Sequence, residues 1–150
     1  RDGFAALRWL VAQQTKADDG GDAYLSVIGN DGWLVRGRTA ALFDQQPLEA
    51  YALVDACLDA ARLARHDDVV DARESWERLA WMSFAWFTGR NDLGLSLHDP
   101  VTGGCRDDLH RDGVNRNQGA ESTLAYLLSV LELRRYDDEV GGAMSARVAE

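Results

Sequence analysis

Asn115–Arg–Asn–Gln–Gly–Ala–Glu121 stands where a long polar stretch gives way to the most leucine-rich segment of the chain. Gln118 and Glu121 lie three apart at that junction. The same spacing occurs 72 positions earlier at Gln46 and Glu49, within Asp44–Gln–Gln–Pro–Leu–Glu49. Roughly thirty residues rich in Gly, Asp, Arg and Asn precede each copy, against a usual connection of about 4–6 residues. A segment with helical spacing follows each. The pattern implies a two-fold structural repeat whose paired loop-to-helix corners form the functional surface.

Working outward, apolar periodicity predicts four helices. The first covers Asp2–Gln14, with Phe4, Leu7, Leu10 and Val11 on one face. A long loop from Lys16 to Gln46 follows. In it, Tyr24–Ile28 is expected to pair with Trp33–Val35 around the turn Gly29–Asn–Asp–Gly32. Pro47 suits a first helical position, since its missing N–H would have no partner there. The second helix therefore spans Pro47–Ala64, with Leu53, Val54, Cys57, Leu58 and Ala61 inward. Arg65–His–Asp–Asp68 is a tight turn in which Asp67 or Asp68 caps the third helix, Val69–Thr88. With Trp76, Trp81, Phe84, Trp86 and Phe87 around its circumference, that helix is expected to be the most buried. The second long loop is Gly89–Gln118. In the fourth helix Leu124, Leu127, Leu128 and Leu131 are expected to face the core, on the order of 1.5–3 kcal/mol each. Residues 1–136 form one helical domain, and 137–150 a tail.

Connections thus alternate long, short, long. Helices joined in sequence pack antiparallel, so both long loops belong at one end. The expected fold class is all-α: antiparallel helical hairpins forming an arc of an (α/α) toroid, with two long irregular loops on one rim.

Bulk properties narrow the function. At 150 residues the chain can bury a sizeable core, and 46% hydrophobic with 27% charged residues is an ordinary globular balance. A net charge of −9 disfavours nucleic acid and anionic membranes as partners. No apolar run approaches the roughly 20 residues of a membrane span. Two cysteines make no disulfide framework, so a reduced, cytoplasmic setting is expected. Arg1 already lies in a helical pattern, which suggests a piece of a longer parent chain.

Four runs carry a family resemblance: Ile28–Gly–Asn–Asp–Gly–Trp33, Phe43–Asp–Gln–Gln–Pro47, Asp99–Pro–Val–Thr–Gly–Gly104 and Asn115–Arg–Asn–Gln–Gly–Ala–Glu–Ser122. Together they resemble the C-terminal helical region of bacterial retaining glycosyltransferases, which is similar to six-hairpin glycosidase toroids. The resemblance covers Arg1 to Arg135 and implies a toroid arc with a carbohydrate-related role. A closed six-hairpin ring needs more helices than this chain supplies. A Gly-rich nucleotide loop after a strand is also lacking, so any nucleotide-sugar domain lies outside it.

Glycosidic chemistry needs an acid and a partner carboxylate, about 5–5.5 Å apart for retention or about 6.5–9.5 Å for inversion. Glu121 is the candidate acid, with Asp44 or Asp99 as partner. Against this, Glu49 and Glu121 fall in first helical turns, where a carboxylate stabilises the positive end of the dipole. Asp44 suits bracing of its loop better than chemistry. Candidate substrate-binding groups are Arg38, Gln45, Gln46, Glu49, His98, Asp108, Asn115, Asn117 and Gln118, which offer donors and acceptors to hydroxyls. Trp33 adds an aromatic face for stacking on a sugar ring. His98, Cys105 and His110 lack zinc spacing. Asp108-x-His110-x-Asp112–Gly113 departs from a calcium loop at His110 and at Gly119, where a bidentate glutamate belongs. Neither metal nor cofactor is therefore expected. Cys105 paired with His98 or His110 as a nucleophile lacks an orienting third group. Two functions compete: a saccharide-binding domain, catalytic or accessory, and a non-catalytic helical module docking on the transferase domain of a parent chain.

Overall fold

The computed structural model describes residues 2–32, 34–35, 37–66 and 70–142. About half the chain is helical, in α1 (Asp2–Gln13), α2 (Pro47–His66), α3 (Val70–Ala85) and α4 (Ala120–Glu139), with a 3-10 turn at Trp86–Thr88. Two antiparallel strand pairs lie in the long loops, so the chain is not purely helical: β1 (Thr15–Ala17) with β2 (Ala23–Leu25), and β3 (Leu109–His110) with β4 (Gly113–Val114).

The first of these pairs replaces the expected hairpin. Asp18 closes a tight turn because its Oδ1 accepts the N–H groups of Gly20 and Asp22, at 3.0 and 2.9 Å. That local bond places β1 against β2, with Lys16 opposite Tyr24. Residues 29–31 instead run along 41–44: Gly29 N–H donates to Ala41 O at 2.9 Å and Asn30 N–H to Asp44 O at 3.0 Å.

α2 is the central helix. Gln46 precedes it, Glu49 N–H donates to Gln46 O at 3.2 Å, and Glu49 lies in the first turn. Ala50, Leu53, Val54, Cys57, Leu58, Ala60, Ala61 and Ala64 are all buried, because α1, α3 and α4 each pack against α2. In α3, Trp76 and Ala80 are buried whereas Trp81, Met82 and Phe84 are only partly covered. The aromatic count pointed to α3 as the most enclosed helix, but the small residues of α2 let three neighbours approach it.

Contacts fix the helix directions. Phe84 stacks 6.0 Å from Tyr126, and the Tyr136 hydroxyl donates to Glu77 Oε1 at 2.9 Å, so α3 and α4 are antiparallel. Arg62, late in α2, reaches Glu132 at 3.4 Å and Glu139 at 3.0 Å, so α2 and α4 end together. Phe4 lies 5.9 Å from Trp76, which brings the start of α1 to the first half of α3.

α4 buries the opposite face from the one expected. Ser122, Ala125, Ser129, Leu133 and Tyr136 face inward, whereas Leu124, Leu127, Leu128 and Leu131 are 55%, 43%, 38% and 57% exposed. Small residues allow α4 to lie close against α2, and Ser129 satisfies its hydroxyl on Ala125 O at 2.8 Å. The leucine stripe is left as an apolar outer surface. α4 also continues past residue 136 to Glu139. The expected cap at Asp67 or Asp68 lies outside the described residues, as does most of the tail.

Candidate functional site

One extended segment joins both loop-to-helix corners. Leu109 exchanges backbone bonds with Gln45, its N–H to Gln45 O at 3.0 Å and Gln45 N–H to Leu109 O at 3.2 Å. Two residues back, Asp107 N–H donates to Asn117 O at 3.0 Å. The entrances to α2 and α4 therefore both pair with residues 107–109. Among the described residues no helix is long and apolar enough to cross a membrane.

The two corners are capped differently. At α4, Gly119 has no side chain to offer, and Asp107 Oδ1 accepts its N–H at 2.6 Å while Asn117 Nδ2 donates to Asp107 Oδ2. Burial would raise the Asp107 carboxyl, but the bonds from Asn117, Gly119 and Ser122 outweigh it and hold it below the ordinary value. Glu121 is thereby relieved of capping and stands exposed. At α2, burial pushes the Glu49 carboxyl up against the opposing pull of the Gln46 N–H, and its Oε2 is buried without a hydrogen-bond partner.

Asp99 organises the turn at 99–104. Its Oδ1 accepts Val101 N–H at 2.9 Å, Gln118 Nε2 donates to its Oδ2 at 3.1 Å, and Arg106 lies 3.5 Å away. The Val101 N–H is the chief cause of its lowered pKa, so Asp99 stays ionised and suits a base or charge partner better than an acid. Gln118 Oε1 accepts the Thr102 hydroxyl at 2.7 Å, locking that side chain across the turn. His98 is stacked 4.4 Å from Tyr126. Cys105 is buried beside it in a backbone bridge, its thiol pushed up to about 12 chiefly by burial, as is that of Cys57. A reactive thiolate does not form there near neutral pH.

The carboxylates that hold the second corner set a pH dependence. Asp99 and Asp107 have folded pKa values below the ordinary 3.8, so the stability they confer is complete above about pH 4 and is lost as pH falls through the folded values. Amide-exchange protection of the first turn of α4 is expected to hold down to about pH 4 and to drop from there towards about pH 2 while α2 remains protected. Unaltered protection factors at Gly119 to Thr123 across that range would contradict the capping role of Asp107.

Gln45 is wholly buried, and its amide is fully used. Its Oε1 accepts Trp86 Nε1–H at 2.7 Å, and its Nε2 donates to Leu42 O at 2.8 Å and Asp92 Oδ2 at 2.6 Å. It braces the loop and presents nothing to a ligand. Gln46 is partly buried at the cap, and Arg38 is exposed in a turn closed by its N–H on Val35 O at 2.9 Å. Trp33 lies outside the described residues.

Asp44 and Asp108 converge on His110, a residue that local spacing gave no reason to join to Asp44. Asp44 adopts φ 68°, and its Oδ1 lies 3.0 Å from His110 Nδ1. Asp108 Oδ1 lies 2.7 Å from His110 Nε2, and Asn115 Nδ2 donates to Asp108 Oδ2 at 2.9 Å. The signal that finds this group is the Gln45–Leu109 pairing, which sets Asp44 beside His110.

A cavity of about 410 Å³ lies elsewhere, between α1 and the second half of α2, lined by Phe4, Leu7, Ala60 and Leu63. No family model, curated protein or solved structure matches the chain, so a functional reading rests on the rim's own chemistry.

Proposed function

We propose that the long-loop rim binds a saccharide, and that the helices form an arc of an (α/α) toroid belonging to a glycosyltransferase-type protein. The observation that supports this reading is the backbone pairing of residues 107–109 with both corners, which brings the two loop-to-helix entrances side by side. Asn117 and Glu121 are exposed there, with Asn115, Gln118 and Asp99 partly so. Alternating donors and acceptors on an open, ordered surface match the hydroxyls of a sugar. Arg38 offers further donors from the first loop. Glu121, free of the capping duty, is the group placed to meet substrate; Glu49 and Asp107 serve their helix ends.

A saccharide thermal-shift screen tests this. A bound sugar at about one hundred times its Kd stabilises the fold by about 2.7 kcal/mol. Glu121→Gln is expected to reduce that shift while leaving the unliganded melting temperature within about 1–2 °C, since its side chain is exposed.

The exposed leucine stripe of α4 favours the second reading, a docking module for the transferase domain of a parent chain. Sedimentation of the same samples separates the two. A chain that ignores every sugar, yet self-associates until Leu127→Gln and Leu131→Gln are introduced, belongs to the docking class.

A further inference from the structure

We propose that Asp44, Asp108 and His110 bind a first-row divalent cation, of the zinc or manganese class, which cross-links the two long loops. The inference is independent of the saccharide reading. One carboxylate oxygen from each aspartate and one ring nitrogen of His110 all lie within 4.8 Å of one another. Ligands at about 2.0–2.2 Å from such an ion sit about 3–3.5 Å apart. Asp108 Oδ1 lies 2.7 Å from Nε2, whereas Asp44 Oδ1 lies 3.0 Å from Nδ1, the other ring nitrogen, so an ion on Nε2 takes Asp44 once its part-exposed side chain swings across the ring.

A second observation points to a ligand. Asp108 has a side chain only 10% exposed, and its Oδ1 is buried without a hydrogen-bond partner. His110 Nε2 lies 2.7 Å away without forming a hydrogen bond to it. A buried anionic oxygen facing a ring nitrogen at ligand-edge distance is the arrangement that a cation completes. Asn115 holds the other oxygen of Asp108, as outer groups hold metal-binding carboxylates.

The donor set selects the ion. Two carboxylates carry the charge that a dication balances; the imidazole ligand suits zinc ahead of calcium or magnesium, and the paired carboxylates admit manganese. His110 is half exposed, which gives the ion a route from solvent. Sequence spacing misses the group because Asp44 belongs to a different loop from the other two.

Calorimetric titration of chelator-stripped protein with Zn²⁺, and electron paramagnetic resonance with Mn²⁺, test the site at neutral pH without any sugar present. The expected result is a single bound equivalent, weakened about tenfold or more by Asp108→Asn, Asp44→Asn or His110→Gln. Asp112→Asn, exposed nearby, should leave it unchanged. If Asp108→Asn unfolds the chain, as circular dichroism will show, His110→Gln decides alone. Absence of Zn²⁺ and Mn²⁺ binding would reduce the cluster to an imidazole between two carboxylates and overturn the proposal. So would equal affinity in His110→Gln, or preference for Ca²⁺ or Mg²⁺.

Discussion

Gly29→Ala should lower the melting temperature by roughly 6–12 °C, from a loss of about 3 kcal/mol at the upper end of overpacking costs. A Cβ at position 29 would lie 1.6 Å from the carbonyl oxygen of Phe43, 2.4 Å from its carbonyl carbon and 2.8 Å from its nitrogen. The obstacle is backbone, so no rotamer change relieves it. Residues 29–31 must separate from 41–44, and with them go the bonds from Gly29 N–H to Ala41 O and from Asn30 N–H to Asp44 O. Chemical denaturation checks the size. Gly3→Ala is the control: at the start of α1 an added methyl meets nothing within 4 Å, and removing a helical glycine is neutral or slightly stabilising. Equal effects at the two positions would show that glycine content, not the close approach, sets the cost. Because Asp44 is carried on the displaced segment, Gly29→Ala should also weaken the cation site.

Helix positions were legible because they depend on local rules. Pro47 begins α2 where its lost donor costs nothing, and Glu49 falls in the first turn as its position predicts. Which face of a helix packs is a different matter. In α4 the i, i+3, i+4, i+7 leucines give the stronger apolar stripe, yet Ser122, Ala125 and Ser129 win the interior because they permit close approach to α2. Periodicity reports that a stripe exists, while the neighbour's shape chooses the face. The repeated spacing at the corners was likewise visible, but its two copies diverge: Glu49 is partly buried in the first turn of its helix, whereas Asp107 from the preceding loop takes the Gly119 N–H at the other and Glu121 stays exposed. The His110 cluster and the buried role of Gln45 depend on partners far along the chain. No local pattern encodes them; they follow from one backbone bridge between Gln45 and Leu109.

Gln45→Leu is expected to cost about 3–5 kcal/mol, although leucine nearly preserves volume and adds apolar surface. In an exposed loop the change would be harmless. Here Gln45 is fully buried, and its amide joins three parts of the fold: Leu42 in the first loop, Trp86 after α3, and Asp92 in the second loop. Removing it strands the Trp86 indole N–H in an interior site where that residue is itself fully buried. A buried donor or acceptor left unmet costs about 1–3 kcal/mol, and Asp92, whose side chain is 6% exposed, loses a donor as well. Lys16 at 2.7 Å keeps Asp92 partly compensated, which limits the total. Adding Trp86→Phe separates this account from a simple packing defect. If the stranded N–H is the main cause, the pair of substitutions should be milder than the sum of the singles by about 1 kcal/mol or more, measured by urea denaturation. Strict additivity would mean that shape mismatch, not the hydrogen bond, sets the cost. The same variant tests how the rim is held: Gln45 lies between Asp44 and the cap residue Gln46. Loss of its three bonds should therefore loosen the first corner even in molecules that remain folded, and this loosening should appear as faster amide exchange at Asp44 and Leu109 than in α4.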